Sequence, residues 1–310
     1  MYEFIDSVLS PIIFVITWLL FYFHEGLSLV LPPAAGITWA LAIVFLVILI
    51  RILLIPLFVR QVRSMRGMQL LQPKMKEIQT KFGHDRERMG QEMMKLYRET
   101  GTNPFASCLP ILLQAPIFFA LFRVLQAGVA QKVPLGYFEN HVEALLQANA
   151  ATLFGVPLWG FFSGADETPN PTATRILTMV LVVLMSITTF ITQRQLIVKN
   201  TAADNPVVRQ QKIMLYLFPI MFAVGGVFFP LGVLIYWLTT NIWSMGQQFW
   251  IIRNNPSPGT PAYAAWEARK KQKAKEKAIK RGEVPEEEPE PQPIVRQQPK
   301  RKSRKRRKGN

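Results

Sequence analysis

Apolar stretches about 20 residues long constrain the fold of this 310-residue chain more than any other feature. A helix needs about that many apolar residues to cross the roughly 30 Å hydrocarbon core of a bilayer. Half of the residues are hydrophobic, yet the net charge is +16, so apolar and basic segments must be separate. The pattern predicts a multi-pass membrane protein. The first residues, MYEFIDSV, carry no positive charge, so no cleavable signal peptide is expected.

Five membrane-spanning helices are predicted, at residues 38–58, 105–125, 175–196, 213–229 and 231–252. Gly225, Gly226, Pro230 and Gly232 favour a turn between the last two rather than one long helix. Residues 1–35 contain a further apolar run that is shorter and rich in aromatic residues. It is open to two interpretations, a sixth span or an amphipathic helix lying in the membrane interface, and its composition favours the interfacial helix.

Lysine and arginine are distributed unevenly between the segments that join these spans. Residues 1–37 contain none, and the loop at 126–174 contains only Lys132. Most of the others are concentrated in three segments: ten in residues 60–100, four in 194–212 and eighteen from 253 onward. Because positively charged loops stay in the cytoplasm, the N-terminus is predicted to lie outside and the C-terminus inside a plasma membrane. The 126–174 loop is then extracytoplasmic.

Residues 60–103 are predicted to form a cytoplasmic helical hairpin. Its two helices are separated by FGHD, where Gly83 suits a helix end and Asp85 an N-cap. The methionine-rich apolar residues have two interpretations. The two helix faces pack on each other, or they offer an adaptable surface to many apolar partners. The candidate substrate contacts on that surface are Met65, Met68, Met75 and Met93.

Arg51 stands alone among apolar residues in the first span, within LVILIRILLIP. A charge at this depth costs an apparent ~2.5–3.5 kcal/mol by insertion scales, and none of the spans contains Asp or Glu to neutralise it. Snorkelling to the cytoplasmic boundary is one explanation, but Arg60, which marks that boundary, lies about 13 Å further along the helix. The pattern favours a water-containing polar cavity shared by several spans, which attracts an anionic group.

The other spans carry modest polar faces. The candidate groove residues, with Arg51, are Gln114, Thr189, Gln193, Tyr236 and Thr240. Hydrogen bonding between helices in a closed bundle is the alternative explanation for them. The absence of carboxylates from the spans argues against a proton- or sodium-coupled transporter. No catalytic, metal-binding or cofactor-binding residue is predicted.

Residues 253–310 form a basic tail that is expected to be largely disordered, with a helix over part of AWEARKKQKAKEKAIKRG. Basic clusters after a membrane span can set topology, bind anionic lipids or contact the phosphate backbone of RNA. The densest cluster, a candidate for ribosome or anionic-lipid binding, comprises Lys300, Arg301, Arg304, Lys305, Arg306 and Arg307.

Several motifs follow one another in a distinctive order between residues 8 and 252. They are an arginine late in the first span, a charged hairpin, GTNPFASCLPILLQAPIFFALF entering the second span, TTFITQRQL closing the third and FPLGVLIYWLTTNIWSMGQQ in the fifth. Together they resemble the YidC/Oxa/Alb family of membrane protein insertases, and LFGVPLWGFF in the outer loop looks most like actinobacterial members. The resemblance implies an all-α integral membrane protein. In it, a core at 36–252 has five transmembrane helices around a hydrophilic groove that is closed on the outside, plus an N-terminal interfacial helix and the hairpin.

The resemblance also implies that the chain inserts nascent membrane proteins and helps them to fold. Arg51 corresponds to the family's groove arginine and Gln193 to its groove glutamine. The implied partners are nascent membrane proteins, the ribosome through the basic tail, the Sec translocon and anionic lipids, and a monomer without a cofactor is expected. Two rivals remain: a chaperone that folds proteins delivered by the Sec translocon and, less favoured, a small multi-pass transporter.

Overall fold

Helices make up most of the computed structural model, which describes residues 2–59, 61, 67, 71–101, 109–194, 206–256 and 260–281. In chain order they are α1 Tyr2–Ser28, α2 Gly36–Leu53, α3 Gln72–Phe82, α4 Arg86–Glu99, α5 Leu109–Arg123, α6 Val142–Ala150, α7 Pro171–Arg194, α8 Pro206–Gly226, α9 Leu231–Asn254 and α10 Pro261–Lys280. Among these residues the only strands, β1 Thr152–Leu153 and β2 Val156–Pro157, pair antiparallel. The predicted all-α fold class is confirmed.

A helix occurs at each of the five predicted spans. Among the described residues, four segments are long and apolar enough to cross a membrane: Ser7–Ser28, Gly36–Leu53, Leu112–Ala130 and Pro171–Arg194. Leu215–Gly226 in α8 is a shorter apolar helix, and α9 carries a polar stripe that lowers its hydropathy. Length and composition alone therefore also permit α1 to span, and its interfacial position stays a prediction.

The second span extends further than its predicted end at residue 125. α5 passes at Arg123 into a wider π-helical segment, Val124–Ala130, which continues the apolar helix. Pro116 lies inside α5, and Pro219 lies inside α8. Such prolines are tolerated in membrane helices because neighbouring groups satisfy the backbone atoms that they leave unpaired.

The hydrophobic core forms where α2, α5 and α9 meet. Ile43 and Leu46 of α2, Leu121 of α5 and Leu231 of α9 are buried in one cluster. Gly232 lets these segments approach closely, because a Cβ at this position would crowd the side chains of Ile43 in α2 and Leu125 in the π-helical segment. The apolar faces that the sequence predicts for these spans thus pack against one another.

The chain between α5 and α7, which has only weak sequence patterning, is an ordered part of the structure. Residues 131–170, named here the outer segment after their predicted side of the membrane, contain α6, the β1–β2 hairpin and two short 3₁₀ turns. Phe138, Leu145, Val156 and Leu158 of this segment are buried in the main core cluster. The outer segment therefore completes the core of the bundle.

Backbone hydrogen bonds tie the outer segment to the turn between α8 and α9. The amides of Leu231 and Gly232, which begin α9, donate to the carbonyls of Gly160 and Leu158 at 2.8 Å each. These amides lie in the first helical turn, where no intrahelical acceptor exists. The Ser163 amide donates to the Val227 carbonyl at 3.0 Å. The outer segment thus caps α9.

α1 packs on both α2 and the outer segment. The Tyr137 amide donates to the Thr17 hydroxyl at 2.9 Å. His24 is fully buried and stacks on Trp39 of α2, with ring centroids 3.9 Å apart. Gly136 has a φ of 58° and lies so close to α1 that a Cβ would contact the Phe14 backbone. These contacts hold α1 at the end of the bundle where α2 begins.

The two helices of the predicted hairpin are α3 and α4. α3 ends at Phe82 with Gly83 as its C-cap, and the Asp85 carboxylate caps α4 by accepting from the Arg88 amide at 3.0 Å. Both boundaries are as predicted from FGHD. The cytoplasmic position of this hairpin stays a prediction.

α10 provides the helix that was predicted over part of the basic tail. Residues 1–266 form one compact unit, and the rest of α10 belongs to a second. The basic cluster that includes Lys300 and Arg307 lies outside the described residues.

Candidate functional site

Arg51 lies in the last turn of α2 and is partly buried. A turn at Leu54, whose amide donates to the Ile50 carbonyl at 3.0 Å, interrupts the helix, and helical backbone then continues to Val59. A cation is favoured near the C-terminal end of a helix by its dipole, by about 0.3–1 kcal/mol. Among the described residues, however, no carboxylate and no hydrogen-bond acceptor contacts the guanidinium. Arg51 is a cation without a partner in this part of the chain.

Tyr236 of α9 lies close enough to Arg51 for the charge of the guanidinium to act on its phenol, and its side chain is 2% exposed. Its hydroxyl, and that of Thr240 one turn along α9, are buried without a hydrogen-bond partner in the described structure. Buried polar atoms in native proteins normally have a partner in the protein or in bound water. A polar region between α2 and α9 therefore has capacity to bind a polar guest.

The three remaining predicted groove residues differ in their burial and in their hydrogen bonds. Gln114 on α5 and Gln193 on α7 are half-buried, and neither is hydrogen-bonded to Arg51 in the part of the chain that the structure describes. Thr189 is buried, and its hydroxyl accepts from the Asn241 amide at 2.8 Å. For Thr189 the structure favours the alternative of hydrogen bonding between helices.

Asn241 is the residue that the sequence analysis overlooked. Its amide also approaches the Met185 carbonyl at 3.3 Å and the Thr188 hydroxyl at 3.4 Å, so it joins α9 to α7 through three acceptors. An asparagine in the middle of an apolar helix is itself a signal for such a contact. The four-residue spacing of Tyr236 and Thr240 indicates a neighbouring face of α9 instead.

Replacing Asn241 with alanine is expected to weaken the contact between α7 and α9. Interhelical hydrogen bonds in membranes contribute about 0.6 kcal/mol on average, so losing this set should cost about 1 kcal/mol of unfolding free energy. Thermal unfolding in detergent measures it. Thr239→Val is the matched control, because among the described residues the Thr239 hydroxyl bonds only to the Ile235 carbonyl of its own helix. Equal destabilisation by both variants would show that Asn241 makes no special contribution.

The predicted methionine contacts lie within the hairpin. Met75 is buried in a cluster with Leu71 and Leu96, and Met93 packs against that cluster. The Tyr97 hydroxyl lies 3.9 Å from the Met75 sulfur, and partial burial raises the pKa of Tyr97. The structure thus favours the alternative in which the two helix faces pack on each other. Among the described residues of the hairpin, the exposed methionine is Met94, whose side chain is 45% exposed. Met65 and Met68 lie outside the described residues.

Metal-binding geometry is not found in the described residues, where no three His, Cys, Asp or Glu side chains come together. The candidate site offers one cation, several hydroxyl and amide groups, and apolar helix faces around them.

Comparisons with known proteins agree on one family. A family model described as 60Kd inner membrane protein matches residues 30–258. A membrane protein insertase YidC of Streptomyces avermitilis is 49% identical over 84% of this chain and 62% of its own length. One from Tropheryma whipplei is 37% identical over 85% and 89%, and one from Mycobacterium tuberculosis is 35% identical over 78% and 72%. The chain thus spans less than two thirds of the Streptomyces relative.

A solved structure has a similar fold. It is described as an active YidC insertase crystal structure with the first transmembrane domain resolved, and it matches with a TM-score of 0.50 and 24% identity. The match covers 76% of this chain and 46% of that one. At this identity the likeness concerns the fold alone.

Proposed function

Because this chain belongs to the 60Kd inner membrane protein family and is an integral protein of the cell membrane, we propose that it is an insertase. It inserts nascent membrane proteins into the bilayer and helps them to fold. The observation that carries the proposal is Arg51, a cation with no hydrogen-bond or carboxylate partner among the described residues, near Tyr236. The hydroxyls of Tyr236 and of Thr240, one turn further along α9, have no hydrogen-bond partner among these residues either.

Arg51 serves as a transient counter-charge for the client. A client's short acidic extracytoplasmic tail enters the groove and approaches the guanidinium. Two opposite charges about 4 Å apart attract by about 1 kcal/mol in water and by about 4 kcal/mol at an effective dielectric of 20. The partly dehydrated groove therefore binds an acidic tail more strongly than the cytoplasm does, while Tyr236 and Thr240 offer hydrogen bonds to the passing chain.

Burial of the client's apolar segment in lipid provides the driving force. Apolar surface removed from water contributes about 25 cal/mol per Å², which exceeds the attraction of one ion pair for a segment of spanning length. The overall free energy therefore favours release of the tail from Arg51. The hydrogen bonds from α9 to the outer segment support a groove that is closed on its outer side until the client arrives.

Insertion into vesicles tests the proposal directly. The purified full-length protein is reconstituted into liposomes, and a client with one apolar segment and an acidic tail is translated in their presence. Protection of the tail from added protease is expected only in vesicles that contain the protein. Equal protection in protein-free vesicles would refute the insertase. Protection that requires added Sec translocon would favour the Sec-associated chaperone.

We further propose that the basic tail contacts the ribosome and anionic lipids. The support is its charge: residues 296–310 contain nine lysines and arginines and no acid. Deletion of 296–310 is expected to reduce co-sedimentation with ribosomes and to weaken its salt dependence, because fewer phosphate charges are neutralised. Deletion of the acidic, proline-rich residues 283–295 is the matched control. Undiminished binding after the first deletion would exclude the cluster at 300–307.

A further inference from the structure

A crevice separates the end of the α2 region from the end of α9. Its volume is about 840 Å³, and it is named here the α2–α9 crevice. Its walls include Ile55, Phe58, Trp243, Gly246, Gln247 and Trp250. Most of these side chains are apolar, and the two indoles belong to a residue type that is enriched at membrane interfaces. The crevice lies beyond Arg51, towards the predicted cytoplasmic side.

The crevice opens on the outside of the helix bundle. Ile55 is 41% exposed, Ile242 52% and Trp250 60%. In a chain whose helices cross a bilayer, apolar residues with this exposure face lipid and not water. The crevice is therefore accessible from the side of the membrane.

Its length matches one leaflet of the bilayer. The lining residues extend from Ile242 in α9 to Asn255 at its C-cap, thirteen residues or about 20 Å of helix. One leaflet is about 20–22 Å thick including its headgroup region, whereas a transmembrane client helix needs about 20 residues and about 30 Å. A phospholipid of one leaflet fits this length, and a spanning helix exceeds it by about half.

A single charged residue, Arg253, occurs in the sequence from 240 to 266. It lies in the sequence between two lining residues, Ile251 and Asn255. The Gln247 amide also lines the crevice and can bond to an ester or phosphate oxygen. The combination of apolar walls, a polar group and a cation complements a phospholipid with a negatively charged headgroup.

We propose that the α2–α9 crevice binds an anionic phospholipid of the cytoplasmic leaflet. One acyl chain lies between Phe58 and Trp250, and the headgroup lies at the level of Arg253. This site is separate from the proposed insertase function, because it requires neither a client nor Arg51.

Photolabelling in vesicles tests the proposal. The full-length protein is reconstituted in phosphatidylcholine containing a trace of phosphatidylglycerol with a diazirine on one acyl chain. A parallel sample contains diazirine-bearing phosphatidylcholine. Peptide mapping is expected to find the phosphatidylglycerol label concentrated in residues 55–59 and 242–251, above the lipid-exposed residues 217–224 of α8. Equal labelling of all lipid-exposed helices would overturn the proposal.

Gly246→Trp is expected to fill the crevice and to lower this label severalfold, because no atom lies within 4 Å of a Cβ at Gly246. Gly26→Trp in α1, at an equally open position, is the matched control and should leave the label unchanged. Gly246→Leu gives a smaller filling group if the tryptophan variant does not fold. Arg253→Gln should lower the preference for phosphatidylglycerol over phosphatidylcholine about fivefold.

Two results would contradict the site. Unchanged labelling in folded Gly246→Trp and Gly246→Leu proteins would show that the lipid lies elsewhere. Loss of client insertion in these variants, with no concentrated lipid label in the parent protein, would identify the crevice as a client site and overturn the lipid. Failure of the insertase proposal leaves the labelling result unaffected, so the two outcomes are distinguishable.

Discussion

Arg51→Ala is expected to abolish most insertion of clients with acidic tails and to leave clients with neutral tails nearly unaffected. Removing one partner of a desolvated charge pair typically costs at least about 2 kcal/mol, or roughly thirtyfold in the rate or yield of capture. The measurement is protease protection of the client tail in vesicles reconstituted with each variant. The client is varied as well, with an acidic or a neutral tail. The two proteins and the two clients give four combinations, which form a double-mutant cycle.

The controls separate charge from packing. Arg51→Lys should retain much of the activity, because the proposal requires a cation and not the shape of the guanidinium. Arg175→Ala removes an arginine that is exposed and bonds to Asp166 at 2.6 Å, and such surface pairs contribute little. The Arg175→Ala protein should therefore insert clients normally. If Arg51→Ala affects neutral and acidic clients equally, Arg51 supports the bundle and the counter-charge mechanism is wrong.

Three of the five predicted spans coincide with helices that are long and apolar enough to cross a membrane, because the signal for such a helix is local. Apolar composition over about 20 residues is sufficient to recognise a span, and Asp85 was identifiable as a helix cap from its position before a polar helical pattern. The end of the second span was less predictable. Its extension from 125 to Ala130 uses a π-helical segment, which has no compositional signal of its own.

The outer segment shows where sequence patterns fail. Phe138, Leu145 and Leu158 are buried, but they come from a 3₁₀ turn, a short helix and a loop, so no single period of 2 or 3.6 residues connects them. Their burial depends on contacts with distant elements. The carbonyls of Leu158 and Gly160 cap a helix that begins about 70 residues later in the chain, and no local pattern could indicate that pairing.

The surroundings of Arg51 were only partly predictable for a related reason. Arg51 is conspicuous because a charge is rare in such a segment. The proximity of Arg51 to Tyr236 and the bonds of Asn241 to α7 depend on how the helices are rotated against one another. Periodicity assigns residues to a face of one helix but does not say which neighbour that face meets. Thr189 was therefore predicted to line the groove, whereas its hydroxyl accepts from Asn241.

Gly36→Ala is expected to loosen the outer segment and to lower the stability of the whole bundle. Gly36 is the first residue of α2, and a Cβ there would overlap the backbone of Thr152 and Leu153 in β1. Neither backbone can move freely, because the β1–β2 hairpin is followed directly by the carbonyls that cap α9. Overpacking of this kind costs up to about 3 kcal/mol, and here the displaced atoms are main chain.

Two measurements follow from this geometry. The midpoint of thermal unfolding in detergent should fall, and the Leu231 and Gly232 amides should exchange hydrogen faster, because their acceptors at Gly160 and Leu158 move with the hairpin. Gly26→Ala is the matched control. No atom lies within 4 Å of its added Cβ, and alanine in a helix is favoured over glycine by up to about 1 kcal/mol.

The two substitutions should therefore change stability in opposite directions although the chemical change is the same. A fall in the midpoint for both would attribute the effect to the glycines' flexibility and not to contact with β1. Faster exchange at Leu231 in Gly36→Ala, with no change in Gly26→Ala, would link the start of α2 to the start of α9 through the outer segment. In the proposed mechanism, that link keeps the outer end of the groove closed while a client approaches Arg51 from the other side.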